Sequence, residues 1–506
     1  MKKIIALVLL LALCFACVSF VSCGSESTGE NTGKTESKPE NLETEEAESP
    51  GAAAKIEPNI PEADYGSYQF TVLLSINGEF SNSGGGMWND FTAEEETGDT
   101  VNDAIYRRNA YVEDKYNVKI EVIEAQASDN MDRPQAQKML KNAIAAGDNT
   151  YDAAMLAGYA TCALASGGFL LDLNDLPPID LSRPWWDQQA NKDLMIKDKM
   201  FYTAGDISNI VNYATYAILF NKKLFQDYGL EDPYALVKSG DWTYSKLIEL
   251  ASNVSSDLNG DGKFDFEDLY GALVWDDTMM GVVNSIGEKC AKPNAEGEIE
   301  LTLNNQRVAE VFDIYTSYVY DKEKALTYQR QDWDGSKSNA MFQNHQSLFW
   351  LQIMELVIRL RAMEAEFGVL PYPKLDASQK DYYSTVGTWH SGFLCVPVGQ
   401  ENAERTATVL EALAAESMYT LKHAFYDIAL KGKYVRDEES EEMLDLIFAT
   451  KTYDLGWLYQ IGGYNERIMD LLRSFKSDFA SMYDKNLSKA EKDLDKINEL
   501  FSEILN

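Results

Sequence analysis

From residue 66 onward, short apolar runs alternate with stretches in which apolar residues recur every three or four positions. YQFTVLLS (68–75), VKIEVIE (118–124), YDAAMLA (151–157), ATYAILF (214–220), YGALVW (270–275), FGVLP (367–371) and FLCVP (393–397) read as buried strands. Between them, 101–115, 133–146, 243–254, 306–320 and 401–416 carry helical periodicity. In 243–254 the repeat is Leu247, Ile248, Leu250, Ala251 and Val254, with Thr243 placed to cap the helix start. Such alternation predicts an α/β fold, in which βαβ units build mostly parallel sheets covered by helices on both faces. From about residue 400 the pattern is mainly helical. Its last segment puts Leu494, Ile497, Phe501, Ile504 and Leu505 on one apolar stripe.

Ahead of this region the pattern changes twice. MKKIIALVLLLALCFACVSFVSC sets Lys2 and Lys3 before an apolar run, which predicts a signal peptide over 1–22. A retained membrane helix is the alternative reading of the same run. FVSCG (20–24) resembles a bacterial lipobox, although Phe20 departs from its usual first residue, and it makes Cys23 the expected lipidated N-terminus. Residues 23–65 are Ser, Thr, Gly, Glu and Pro with almost nothing to bury, so a disordered acidic tether is expected. GENTGKT (29–35) is one residue short of a phosphate-binding loop and follows no strand.

Charge narrows the partners. With 81 acidic against 45 basic residues, net −36, the chain is a poor nucleic-acid binder. Outside the leader and Cys23 only Cys162, Cys290 and Cys395 remain, too sparse a set for a disulfide framework, so they read as small buried residues.

DLNGDGKFDFED (257–268) has the spacing of a calcium loop. Its ligand positions hold Asp257, Asn259, Asp261, Lys263 through its carbonyl, Asp265 and Asp268, and Gly262 stands at the sharp turn. Asp268 is the departure, because a shorter carboxylate stands where Glu is usual. The plain alternative is an Asn/Asp/Gly surface turn. No second long amphipathic helix follows the loop, so an ion here is expected to fasten a loop and not to switch one.

Three longer segments carry a family resemblance: YDAAMLAGYATCALASGGFLLDLNDL (151–176), ILFNKKLFQDYGLEDPYALVKSGDWTYSKLIELA (218–251) and FGVLPYPKLDASQKDYYSTVGTWHSGFLCVPVG (367–399). In order and spacing they resemble extracellular solute-binding proteins of the sugar-type lipoprotein branch, the capture components of ABC importers. The resemblance implies two hinged α/β lobes, a type II periplasmic-binding-protein-like fold. Lobe 1 is expected over 66–206 and 372–425, and lobe 2 over 207–371 and 426–506. It further implies a carbohydrate ligand in the cleft, permease subunits as partners, a lipid-anchored extracytoplasmic location and a monomer.

Sugars present flat C–H faces beside rings of hydroxyls, so aromatic and short polar side chains suit them. Trp389 in GTWHSGF lies in a Gly/Ser-flanked loop, and Trp457 in YDLGWLYQIGGYN stands where relatives carry a stacking aromatic. Trp350 in QSLFWLQ and Tyr159 in LAGYA match cleft-facing stretches. Asp206 in TAGDISN is the candidate carboxylate, and Trp275 is the last candidate. Most aromatics in any protein are core, and each of these has that reading too.

A secreted glycosidase is the rival class, because any pair among so many carboxylates could serve. GxSxG, HExxH and the Walker loop are all absent from the sequence. Among His345, His390 and His423 only His390 lies near a proposed site. A calcium-dependent adhesin is the third class, and a single loop copy counts against it.

Overall fold

Phe70, Val72, Leu73 and Leu74 are fully buried, and their strand, β1 (Tyr68–Asn77), stands at the middle of the first sheet. The computed structural model describes residues 55–77, 89–127, 135–327, 335–360, 366–426, 430–431 and 437–504. Helix α1 (Thr100–Tyr116) leads from β1 to β2 (Val118–Ala127), and α2 (Gln135–Ala146) leads on to β3 (Ala153–Ala157). Asp99 caps α1 by accepting from the amides of Val101 and Asn102. Asn117 ends it at φ 51°, a left-handed conformation that Asn tolerates, so β2 starts one residue later. β1 runs parallel to β2 along its whole length, from Tyr68↔Val118 to Asn77↔Ala127, and parallel to β3 on its other side.

Helix α3 (Gly158–Ala165) follows β3 at once, and the chain then moves to the second sheet through β4 (Tyr216–Asn221). There come α4 (Tyr244–Ala251), β5 (Tyr270–Val274), α5 (Thr278–Ser285), α6 (Gln306–Val319), β6 (Ala325–Thr327), β7 (Ser347–Ile353) and β8 (Phe367–Leu370). As expected, Thr243 caps α4, its hydroxyl accepting from the Lys246 amide at 3.3 Å. After the short strand β9 (Ser384–Thr385), β10 (Gly392–Cys395) rejoins the first sheet. The remainder is α7 (Ala403–Tyr419), α8 (Glu438–Ala449), β11 (Lys451–Thr452), α9 (Leu455–Leu458), α10 (Tyr464–Ser474) and α11 (Phe479–Ile504).

The sheet orders are β10-β3-β1-β2 and β8-β4-β7-β5-β6, with β9 paired to β11 between them. Most neighbours are parallel, and the antiparallel ones are β10 on β3 and β4 on both β7 and β8. This is the two-lobe periplasmic-binding-protein architecture with a helical C-terminal region. Every expected strand is present. β7 is an addition: all seven of its residues are buried, which erases the alternation that marks a half-exposed strand. Cys162, Cys290 and Cys395 are buried free thiols. Among the described residues no helix is long and apolar enough to cross a membrane. The leader, the lipobox with Cys23 and most of the tether lie outside the described residues.

Candidate functional site

β3 of the first sheet and β5 of the second both lead into residues that contact one loop, 386–391. Gly158, first residue of α3, donates its amide to the Ser391 carbonyl at 3.0 Å. A Cβ at Gly158 would stand 3.0 Å from Leu458, 3.1 Å from the Ser391 hydroxyl and 3.2 Å from the Thr388 carbonyl, so the close approach favours glycine. Tyr159 follows, with its hydroxyl 3.1 Å from Thr388 Oγ1 and its ring edge-on to Trp389 at 6.1 Å between centroids. Asn465 Nδ2 donates to the same hydroxyl at 3.3 Å.

From the second sheet, the residues after β5 reach the same loop. Asp277 Oδ2 lies 3.3 Å from His390 Nε2, while its buried Oδ1 has no hydrogen-bond partner among the described residues. Asp276 accepts from Arg473 Nε at 2.6 Å, and the guanidinium also reaches Glu466 at 3.1 Å. Burial and the adjoining Asp277 charge raise the Asp276 carboxyl above its ordinary range, against the pull of Arg473. Tyr216 and Tyr372 stand edge-on at 5.8 Å beneath this carboxylate pair, and burial keeps both phenols protonated. The Tyr372 hydroxyl, like Asp277 Oδ1, is buried with no hydrogen-bond partner among the described residues. Aromatic faces and buried polar atoms awaiting partners thus meet where strands of both lobes end.

A cavity of about 750 Å³ adjoins this seam at Tyr159, Asn465 and Glu466. One wall is α3, through Cys162, Ala163 and Ser166. The other is residues 458–467 with Lys489, Asp493 and Lys496 of α11.

The structure brings two expected residues together, Tyr159 and Trp389; Trp275, half-buried, directly precedes the Asp276–Asp277 pair. It places three others elsewhere. Trp457 is fully buried in the main core, and its neighbours Leu458 and Tyr459 line the cavity instead. Trp350 is 1 % exposed, inside β7 against Phe342, in the separate core beneath the second sheet. Asp206 is ion-paired to Lys422 at 3.1 Å, beside Lys451 and Asp187 where the chain leaves the first lobe. Asp276, Asp277, Asn465 and Arg473 were not singled out from sequence. The signal was present in WDD (275–277), two carboxylates just past a strand.

In the 257–268 loop the side chains cap their own backbone. Asp257 accepts from the Gly260 and Gly262 amides, Asn259 from Asp261, Asp261 from Lys263, and Asp265 from Glu267. Asp268 is buried and accepts from Leu258 and Asp265. Gly260 and Gly262 adopt φ of 73° and 77°, which the turn requires. Among the described residues no three His, Cys, Asp or Glu side chains group to hold a metal ion. The donor set itself is all oxygen, with lone pairs beyond those the amides occupy, as a hard cation needs.

The model of the bacterial extracellular solute-binding protein family matches residues 83–351. A search of curated proteins finds no match. Among solved structures, the chain is similar to the ABC substrate-binding protein from Listeria monocytogenes in complex with cycloalternan. That match has 16% identity and TM-score 0.53, covering 86% of this chain and 99% of the other. It is similar to the GacH receptor of Streptomyces glaucescens, solved unliganded and with acarbose, at 13% identity and TM-score 0.51, covering 87% and 98%. A cyclo/maltodextrin-binding protein complexed with maltotetraose matches at 14% identity and TM-score 0.54, covering 84% and 96%. At such identities these likenesses establish the fold.

Proposed function

The chain belongs to the bacterial extracellular solute-binding protein family, and we propose that it captures a carbohydrate between its lobes and delivers it to the permease of an ABC importer. The observation that supports this most is the seam itself: Tyr159, Trp389 and His390 meet Asp277 where β3 and β5 end. An aromatic pair suits the C–H face of a sugar ring, and the unpartnered Asp277 oxygen suits a hydroxyl donor. Ligand bound there touches both sheets, so it favours the closed arrangement by its differential affinity for that form. The similar solved proteins, two of them in complex with cycloalternan and maltotetraose, lend the sugar class support.

Capture without turnover is the reading over hydrolysis, so glycans incubated with the protein should be recovered intact. In this proposal Cys23 carries a lipid that holds the mature chain at the outer membrane face, with 23–65 as the tether. Calcium in the 257–268 loop belongs to the proposal as a structural ion. Its support is an oxygen at every ligand position and glycine at the turn.

The test is a thermal-shift screen against a carbohydrate panel, because a ligand that binds only the folded state raises its melting temperature by mass action. A sugar should raise it further with each increase in concentration, roughly with the logarithm of concentration once above its Kd. No shift with any carbohydrate at millimolar concentration overturns the sugar assignment.

A further inference from the structure

Asp276 is held through both of its oxygens. Oδ1 accepts from the Asp277 amide at 3.1 Å, and Oδ2 accepts from Arg473 Nε at 2.6 Å. The arginine comes from α10, which packs on α5, the helix that starts just after Asp277. One guanidinium therefore reaches, through one carboxylate, the backbone of the residue that faces His390.

The same guanidinium also balances charge. Its Nη1 lies 3.1 Å from Glu466 and 3.3 Å from Asp470, and Asp470 is shared with Arg467 at 2.9 Å. Glu466 and Asp470 are exposed enough for water to screen them, whereas Asp276 and Asp277 are buried. Facing the buried pair are Arg473 from α10 and His390 from 386–391. The phenols of Tyr216 on β4, Tyr315 on α6 and Tyr372 after β8 also face it, and burial keeps them protonated. Two adjoining buried carboxylates without a counter-charge share a proton, and a protonated carboxyl loses part of its capacity to accept from a hydroxyl.

Resting on the carbohydrate site proposed above, we propose that Arg473 is a positioning residue for it: by pairing with Asp276 it fixes Asp277 and lets it meet a sugar hydroxyl as a carboxylate. The residue touches no sugar itself.

Arg473→Gln separates this role from plain support of α10. Without the guanidinium the buried pair holds a proton more readily, and a carboxyl raised in this way stabilises the fold while protonated and ceases to as pH rises. The variant's loss of melting temperature should therefore be larger at pH 8 than at pH 5.5. Its loss of affinity should run the other way. By calorimetry with maltotriose, cellotriose and xylotriose, a sugar that binds wild type should bind the variant about tenfold more weakly at pH 5.5 and within about threefold at pH 8. Arg473→Lys, which keeps the charge, should shrink both trends. In an Asp276→Asn background, whose amide oxygen still accepts from Asp277, removing Arg473 should cost the same at both pH values. If Arg473→Gln fails to fold, Asp276→Asn alone decides: with the neighbouring charge gone it should bind at pH 5.5 at least as tightly as wild type, and a tenfold fall overturns the proposal. Losses in Arg473→Gln that are equal at both pH values make the arginine a structural prop and overturn it too. Silence of all three sugars with wild type counts instead against the carbohydrate reading, and the melting comparison then decides the charge balance by itself.

Discussion

In the proposed site, Asp277 and Trp389 are the side chains on which binding should depend most. Trp389→Ala removes the ring packed on Tyr159 and exposed to the seam, and Asp277→Asn leaves His390 facing an amide in place of a carboxylate. Each should weaken the best carbohydrate by about 1–3 kcal/mol, the range for a charged hydrogen bond or a lost aromatic face, or roughly tenfold to a hundredfold. Calorimetry on folded variants measures it, and unchanged affinity in both removes the seam as the binding site. Trp389 stands in a Gly/Ser-flanked loop and Tyr159 in a stretch resembling cleft-facing ones, and the structure puts the two rings in contact. Asp277 is marked only by its place just past a strand in WDD (275–277), one carboxylate among 81 acidic residues. Trp457 misled for a related reason: it too lies beside glycines between helices, and only packing reveals that Leu458 and Tyr459 take the cavity face. A second prediction concerns Glu411, which accepts from both Trp185 and Trp186 and whose pKa burial pushes up to about 7. A carboxyl with a raised folded pKa binds its proton more readily when folded, so its contribution is largest below about pH 4.5 and is lost as pH rises toward 7. Asp206, pushed up to about 6 by burial, acts in the same direction over a lower window. The melting temperature should therefore fall between pH 5 and pH 7.5, and Glu411→Gln should flatten that fall. An unaltered profile in the variant would assign the pH dependence to other groups.

At the scale of elements, local pattern and covalent chemistry agree wherever one face of an element is wet. The cap at Thr243, the parallel pairing of β1 with β2 and the helices between strands follow from periodicity and boundary residues. β7 is as buried as β3, β4 and β5, but Ser347 and Gln352 cut its apolar run to Leu348–Leu351, and Trp350, in a stretch resembling cleft-facing ones, lies inside it. The 257–268 loop shows the reverse limit. Its turn chemistry is readable, and its side chains cap the loop's own amides, Asp261 accepting from Lys263 and Asp265 from Glu267. In the proposed state calcium draws those carboxylates together, so millimolar calcium should raise the melting temperature and a chelator should reverse the gain. Asp261→Ala should abolish the response while leaving carbohydrate affinity within about twofold, because the loop lies on the strand-entry side of β5, away from the seam. A melting curve indifferent to calcium in the wild type reduces the loop to a turn.

At the scale of the whole molecule, what the sequence could not supply is how the chain's several crossings tie the lobes together. One candidate tie is a mostly buried ion pair: Lys289, beyond α5, meets Asp193, in the stretch between β3 and β4, at 2.7 Å. Asp193 also accepts from the Tyr453 amide and the Thr452 hydroxyl, so the crossing that carries β11 is clamped at the same point. Removing the lysine leaves a buried carboxylate with two hydrogen bonds but no counter-charge. That costs less than the roughly 3–5 kcal/mol of an entirely orphaned ion; about 1–3 kcal/mol is the expectation for Lys289→Ala. If the pair acts only when the lobes are together, the variant should also populate the open form more. Apparent affinity then falls by the fraction of molecules still competent to bind. The two consequences separate by measurement. Small-angle scattering of the ligand-free variant should show a larger radius of gyration than wild type, with saturating carbohydrate restoring the compact value. A variant that melts earlier yet keeps the wild-type radius and affinity would make the pair part of the static scaffold, and lobe motion would then have to pivot elsewhere.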